Sequence, residues 1–315
     1  MMKIALVGSG FIGRAWAISF ARAGYETALW DGDPSSPHQA IGYIEGMLSD
    51  LADQDLLNGS SPDDILKRLV PVADLADALD GATHIQESTP ERLEVKQQVF
   101  ADLDRLAAPD AVIASSTSAL LPSKFTGDLQ GRARCLVAHP INPPYLIPAV
   151  EIVPAPWTSE PAMERTRQLM LGAGQAPIMM QRELDGFIMN RMQAALMEEA
   201  FRLVADGHAS VEDVDIGIRE GLALRWAFMG PFETVDLNAP AGVRDYAARY
   251  QPMFENLFKQ MQYRVDWTGP VLDQIEAECR AKRPAETLEA RQKWRDRSLM
   301  ALAAHKKKMR EALSK

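Results

Sequence analysis

Cysteine is nearly missing from this chain, with Cys135 and Cys279 the two present in 315 residues. Cys135 sits in an apolar, strand-like run, and two such thiols describe no disulfide framework; reduced thiols are expected. Metal-ligand spacing is missing as well. His38, His84, His139, His208 and His305 are scattered without cysteine or a close histidine companion, so no metal site is expected. Apart from Lys306 to Lys308 there is no basic block, and 34 basic against 43 acidic side chains leave a formal net charge of −9. That balance offers no basic face to nucleic acid and no broad attraction to anionic membranes. No apolar run approaches membrane-spanning length, and the N-terminus opens on a strand-like segment instead of a signal peptide. A cytoplasmic protein is expected. Internal repeats and low-complexity stretches are also absent.

What is present begins at once. Ile4 to Val7 is an apolar run, followed by Gly8-Ser9-Gly10-Phe11-Ile12-Gly13 and a helical pattern to about Arg22. This is the G-x-G-x-x-G fingerprint between a strand and a helix, the context in which it carries meaning. Gly8 makes the tight turn, Gly10 lets backbone approach a pyrophosphate, and Gly13 lets helix and strand pack closely. The amides and positive dipole end of the helix then favour phosphate. A second strand, Glu26 to Trp30, ends at Asp31, where a carboxylate can accept both ribose hydroxyls and repel a 2′-phosphate. NAD is the expected cofactor.

Short β-rich runs alternate with helical periodicity as far as about residue 180. Extended segments are expected at Arg68 to Val72, Thr83 to Gln86, Ala111 to Ala114, Arg134 to Ala138, Ala149 to Val153 and Ile178 to Gln181. Helices are expected at Pro34 to Asp55, Asp74 to Leu79 and Glu91 to Leu106. This alternation predicts an α/β fold with a doubly wound, mostly parallel Rossmann sheet, whose ligands lie beyond the strands' carboxyl ends. From Gly186 onward strand signals vanish. Phe187 to Ala205 reads as one long helix, and Ser210 with Asp213 resembles a capping box opening the next. The expected organisation is a Rossmann domain over 1–184 and an all-helical domain over 185–315, its charged tail from Glu286 partly exposed.

Four positions carry candidate chemistry. His139 stands in Ala138-His139-Pro140-Ile141-Asn142-Pro143-Pro144, where prolines stop a strand and hold the imidazole at its carboxyl end. Twelve residues on, Glu151 is flanked by apolar strand residues, and a buried carboxylate requires a partner. Protonated His139 is one; an arginine elsewhere is the alternative. A histidine backed by a carboxylate suits the base that removes a proton while a hydride leaves the same carbon. Ser118, in the run Ser115-Ser116-Thr117-Ser118, can donate to a substrate oxygen, although such hydroxyls cap helices equally well. Asn190 lies on an apolar helix at the domain boundary, where an amide is unfavourable without a specific partner.

These segments resemble the 3-hydroxyacyl-CoA dehydrogenase superfamily over nearly the whole chain. Its S-x-T-S motif is matched by Ser115 to Ser118, its H-x-x-N-P by His139 to Pro143, and its G-F-x-x-N-R by Gly186 to Arg191. The resemblance implies that Ser118 binds the substrate oxygen, His139 is the base, Glu151 its partner and Asn190 a positioning group. It also implies that Glu91 and Lys96 contact the nicotinamide end of NAD; an exposed pair on a helix face is the plainer alternative. His84 to Glu87 with Pro90-Glu91, Ala138 to Tyr145, and Arg291 to Asp296 are most similar to the lambda-crystallin branch, which implies oxidation of L-gulonate to 3-dehydro-L-gulonate. Leu224 to Pro231 resembles carnitine dehydrogenases. Both activities involve a free carboxylate, which Arg225 can bind bidentately, a salt bridge to Glu220 or Glu233 being the alternative. A short-chain 3-hydroxyacyl-CoA substrate is the nearest rival, weakened by the lack of any basic residue from Gln39 to Asp64. A non-catalytic, NAD-binding crystallin-like protein is the third reading. Apolar faces carrying Met189, Met192, Leu196, Phe201, Met229 and Phe232, together with the resemblance, imply a homodimer, an internal core that uses them all being the alternative.

Overall fold

The computed structural model describes residues 2–313. Its eight strands are β1 (Lys3–Val7), β2 (Glu26–Trp30), β3 (Leu69–Pro71), β4 (Ala82–Glu87), β5 (Val112–Ser115), β6 (Cys135–Pro140), β7 (Ala149–Pro154) and β8 (Ala176–Met179). They form one sheet in the order β3-β2-β1-β4-β5-β6-β7-β8. Neighbours are parallel except β6 and β7, which run antiparallel. The doubly wound expectation is met, with the strand order reversing beside β1.

Side chains alternate along the strands and feed two cores. Ile4 and Leu6 point to one face with Trp16, Phe20, Ile44 and Leu48; Ala5 and Val7 point to the other with Ile85, Phe100 and Leu103. Helix Phe11–Arg22 is buried along most of its length, and its Trp16 and Phe20 rings stack at 5.1 Å. Cys135 is buried in β6, and burial pushes its thiol up to about 12, as expected of an inert structural cysteine.

By internal contacts the chain divides into two units: one ends at Ile188 and also includes the segment from Gln292 onward, and the other is Met189–Arg291. The return of the last segment differs from the expected second domain of 185–315, and its cause is apolar. Met300 and Ala304, on helix Leu288–Leu313, are buried in the core that contains Ile44 and Leu48. Lys307 bonds the carbonyl and carboxylate of Asp55 at 2.9 and 2.8 Å, and Arg297 approaches Asp50 at 3.4 Å. A tail that looks charged and solvated in one dimension therefore conceals a short apolar stripe.

The second unit, taken by itself, contains helices and no strand among the described residues. Helix Met189–Ala205 begins two residues later than the periodicity suggests, because Gly186 and Phe187 adopt left-handed φ values of 75° and 48°. Ser210 accepts from the Asp213 amide and caps helix Val211–Ile216 as anticipated. Many apolar side chains of this unit face solvent, among them Phe228, Phe232 and Leu237.

Candidate active site

The glycine turn follows from contacts that a side chain would violate. A Cβ on Gly13 would lie 1.8 Å from the Gly8 carbonyl oxygen, and one on Gly8 would meet the Ser88 backbone at 2.7 Å. Gly8 also has φ +100°. Gly10 differs: a Cβ there meets nothing within 4 Å, so its absence leaves open space beside the first turn of helix Phe11–Arg22. No side chain caps that helix. Free amides facing open space are what a dinucleotide pyrophosphate requires. Asp31 follows β2, where its carboxylate oxygens accept from the Ser9 and Asp33 amides at 2.6 and 3.0 Å. Each oxygen keeps acceptor capacity for a ribose hydroxyl. The residues present fit a bound NAD.

The antiparallel return places His139 of β6 directly opposite Glu151 of β7. Glu151 has no exposed surface, and its Oε2 lies 2.7 Å from His139 Nδ1. An ionised carboxylate only accepts, so Nδ1 donates in this pair. The other oxygen, Oε1, accepts from the Ile188 amide at 2.7 Å. That amide is aimed by the left-handed Gly186-Phe187 pair, whose buried phenyl ring lies 5.6 Å from the imidazole. His139 is the penultimate residue of β6, at the strand's carboxyl end as the proline-rich run suggests, with the strand itself continuing to Pro140.

A second charged group surrounds Lys96, which is 1% exposed despite its position on helix Leu93–Leu106. Its ammonium donates to both oxygens of Glu87, at 2.7 and 3.0 Å, and to the Thr89 carbonyl at 3.0 Å. Glu87, also without exposed surface, accepts further from the Thr89 amide and hydroxyl and from the Ser115 hydroxyl. Glu91 precedes the helix instead of opening it, and lies 3.7 Å from Lys96. It accepts from the Thr117 hydroxyl at 2.5 Å and from the Ser118 and Ala119 amides at 2.9 and 3.1 Å. Partial burial raises its pKa, but these donors and the Lys96 charge outweigh burial and hold it below the usual value. The pair is thus no exposed helix-face pair.

Polar support continues underneath. Ser116 Oγ receives Trp16 Nε1 at 3.1 Å and Gln86 Nε2 at 2.7 Å, and lies 2.9 Å from the Ser88 hydroxyl. Gln86 also donates to the Ala138 carbonyl, one residue before His139, and its Oε1 lies 3.1 Å from His84. Thr117 accepts from the Leu120 amide at 3.0 Å within the loop, and no hydroxyl of the serine cluster caps the next helix, Ser123–Thr126, whose N-cap is Pro122. Ser118 faces a cleft of about 330 Å³ lined also by Ile12, Glu91, Lys96, His139 and Asn142. The Asn142 side-chain oxygen is buried with no partner.

One structure therefore brings together Gly8, Gly10, Gly13 and Asp31, and one cleft brings together His139, Ser118, Glu91 and Lys96. Asn190 and Arg225 belong to the other unit. Asn190 sits on the opening turn of its helix, not mid-helix as expected, because the left-handed pair delays the helix start. Arg225 is exposed on the short helix Ala223–Trp226. Glu220, one suggested partner, pairs instead with Arg219 at 2.6 Å. Glu87 was not anticipated; it ends a strand that already carries Thr83, His84 and Gln86, so the apolar flanks that marked Glu151 are missing around it. Asn142 was visible only as part of its motif.

A glycine turn on a helix N-terminus, an acid after the second strand and a histidine–carboxylate pair at the sheet's carboxyl edge define an NAD-dependent oxidoreductase of alcohol groups. Residues 3–184 match the 3-hydroxyacyl-CoA dehydrogenase NAD-binding domain, and 186–268 match the C-terminal domain of the same enzymes. The chain belongs to the 3-hydroxyacyl-CoA dehydrogenase family. It is 40% identical to rabbit (Oryctolagus cuniculus) lambda-crystallin over 97% of both chains. It is 35% identical to Pseudomonas putida L-carnitine dehydrogenase over 95% of this chain and 92% of that one. Among solved structures, an NAD+-dependent 5-formyl-3-hydroxy-2-methylpyridine 4-carboxylic acid 5-dehydrogenase superposes with TM-score 0.81 at 25% identity, covering 96% of this chain and 97% of the other.

His84 links this network to stability. Burial lowers its pKa from 6.5 to about 4, against a smaller opposing effect of the Gln86 hydrogen bond. The unfolded chain therefore binds more protons than the folded one between those values. Stability from this group is complete above pH 6.5 and declines as pH falls toward 4, by on the order of 3 kcal/mol. Urea unfolding of wild type and His84→Gln at pH 7 and pH 4.5 should show a smaller acid loss in the variant; equal losses would exclude this origin.

Proposed function

We propose that the protein oxidises the 3-hydroxyl of a small free hydroxy acid, with L-gulonate to 3-dehydro-L-gulonate as the leading reaction. The observation that carries this reading is the His139–Glu151 pair, sharing one cleft with Ser118 through His139. NAD, when bound, supplies the hydride acceptor. Gly8, Gly10 and Gly13 give its phosphates backbone access, Asp31 accepts its ribose hydroxyls, and Glu91 and Lys96 line its nicotinamide end. His139 Nε2 takes the hydroxyl proton, Glu151 stabilises the resulting imidazolium, and Ser118 donates to the substrate oxygen. Asn190 and Arg225 are assigned on their chemistry: an amide that can hold the substrate oxygen, and a guanidinium that matches a carboxylate.

The substrate class draws support from the lambda-crystallin relatives and from a relative named for L-carnitine, itself a free hydroxy acid. A 3-hydroxyacyl-CoA is the alternative substrate, and non-catalytic NAD binding is the third reading. Unpaired cysteines fit a reducing, cytoplasmic setting. Exposed Phe228, Phe232 and Leu237 support a homodimer, since apolar surface of this kind marks protein contacts. Sedimentation equilibrium should return twice the chain mass, and a monomer at micromolar concentration would refute the dimer.

Initial rates with NAD and L-gulonate, L-carnitine or L-3-hydroxybutyrate, and with NADH and acetoacetyl-CoA, test the substrate. Saturable turnover of L-gulonate above the others is the expected result, and preference for acetoacetyl-CoA would reject it. His139→Gln should leave NAD affinity intact and reduce kcat by about 10²-fold or more; near-normal turnover would assign the base elsewhere. Arg225→Met should raise KM for the hydroxy acid by at least about tenfold, with little change in NAD affinity. An unaltered KM would remove Arg225 from substrate binding.

A further inference from the structure

The charged group around Lys96 contains an imbalance that proton transfer at His139 does not use. Two carboxylates, Glu87 and Glu91, share one ammonium, for a net charge of −1. The sharing is unequal: Lys96 lies 2.7 Å from Glu87 and 3.7 Å from Glu91. Glu87 has no exposed surface, and besides Lys96 it accepts from Thr89 and Ser115, so donors meet both of its oxygens. Glu91 stands on the cleft side, half-exposed, beside His139 and Ser118 among the lining residues. A buried carboxylate thus takes the close contact with the lysine, and the carboxylate facing the cleft keeps its negative charge, held mainly by the neutral donors of Thr117, Ser118 and Ala119.

We propose that Glu87 and Lys96 set the charge of Glu91 so that the cleft discriminates between redox states of the dinucleotide, shifting the balance of affinity toward the oxidised form. The inference rests on the reading that places the nicotinamide beside Glu91. The oxidised ring is cationic and the reduced ring is neutral, while the phosphates, riboses and adenine are the same in both. A fixed negative charge near the ring therefore changes the ratio of the two affinities, and contacts to the remainder of the molecule cancel from that ratio. His139 and Glu151 add to the same field, but equally in wild type and in variants of the Lys96 group. Glu87, sealed beneath the cleft surface, acts by its field and through Lys96, without touching the ligand.

The test is calorimetric titration of the full-length, cofactor-free protein with NAD+ and with NADH at pH 7, reading the ratio Kd(NAD+)/Kd(NADH). Glu91→Gln should raise that ratio by about threefold or more. Glu87→Gln keeps shape and one acceptor oxygen while removing the carboxylate that holds the Lys96 charge, and should raise the ratio in the same direction from a position no ligand reaches. Equal weakening of both ligands in Glu91→Gln would overturn the selection while leaving the nicotinamide beside Glu91. No change in either affinity would overturn both the selection and that placement. A shift in Glu91→Gln without one in Glu87→Gln would remove the buried carboxylate's part. Thermal unfolding of each variant establishes that it is folded; if Glu87→Gln is not, the ratio in Glu91→Gln decides.

Discussion

A carboxylate with no solvent-exposed surface must find its hydrogen-bond donors inside the protein, and Glu151 imposes that requirement on two other parts of the chain. It needs β6 and β7 to run antiparallel in the register that sets His139 opposite it. It takes an amide from Ile188, at the end of the first unit. It therefore needs the left-handed turn at Gly186 and Phe187 that aims this amide. In an otherwise parallel sheet, the one antiparallel step is the one that carries the histidine–carboxylate pair.

The glycine turn obeys the same logic of close approach. Gly8 and Gly13 are required because the first turn of helix Phe11–Arg22 presses on the loop and the loop presses on Ser88. Ser88 in turn meets Ser116, and Ser116 holds Trp16 and Gln86. Cofactor loop, serine cluster and the backbone next to His139 are thus joined by one hydrogen-bonded network. Such a network gains rigidity because every member has a partner in a low-dielectric setting, where an unpaired group would be costly.

Much of this was legible in sequence. Period-2 and period-3.6 patterns located the strands and most helices to within a few residues, since burial of one face dictates them. The fingerprint was legible because Gly13 answers to the Gly8 carbonyl five residues away and Gly8 to its own turn, although Gly8 also meets the distant Ser88 backbone. Glu151 was legible as a buried acid because its neighbours on the strand are apolar. Glu87 lacked that signal, since Gln86 precedes it and Ser88, Thr89 and Pro90 follow it as an ordinary loop entry. The burial of Lys96 was invisible, because nothing local distinguishes a lysine pointing to solvent from one pointing under a sheet edge. The delayed start of helix Met189–Ala205 was hidden too, since Phe187 fits the apolar periodicity while its backbone does not continue the helix.

By itself, then, the sequence determined the alternating α/β architecture, the change to an all-helical texture after Gly186 and the demand for a dinucleotide-shaped turn at the first helix. These follow from interactions between residues near one another in the chain, where periodicity and backbone sterics suffice. Tertiary structure alone decided that His139 faces Glu151, that Glu87 takes the larger share of Lys96, and that the segment from Gln292 returns to the first unit. Those outcomes depend on sheet register and on which buried surfaces meet, and both are settled by long-range packing that no local pattern encodes.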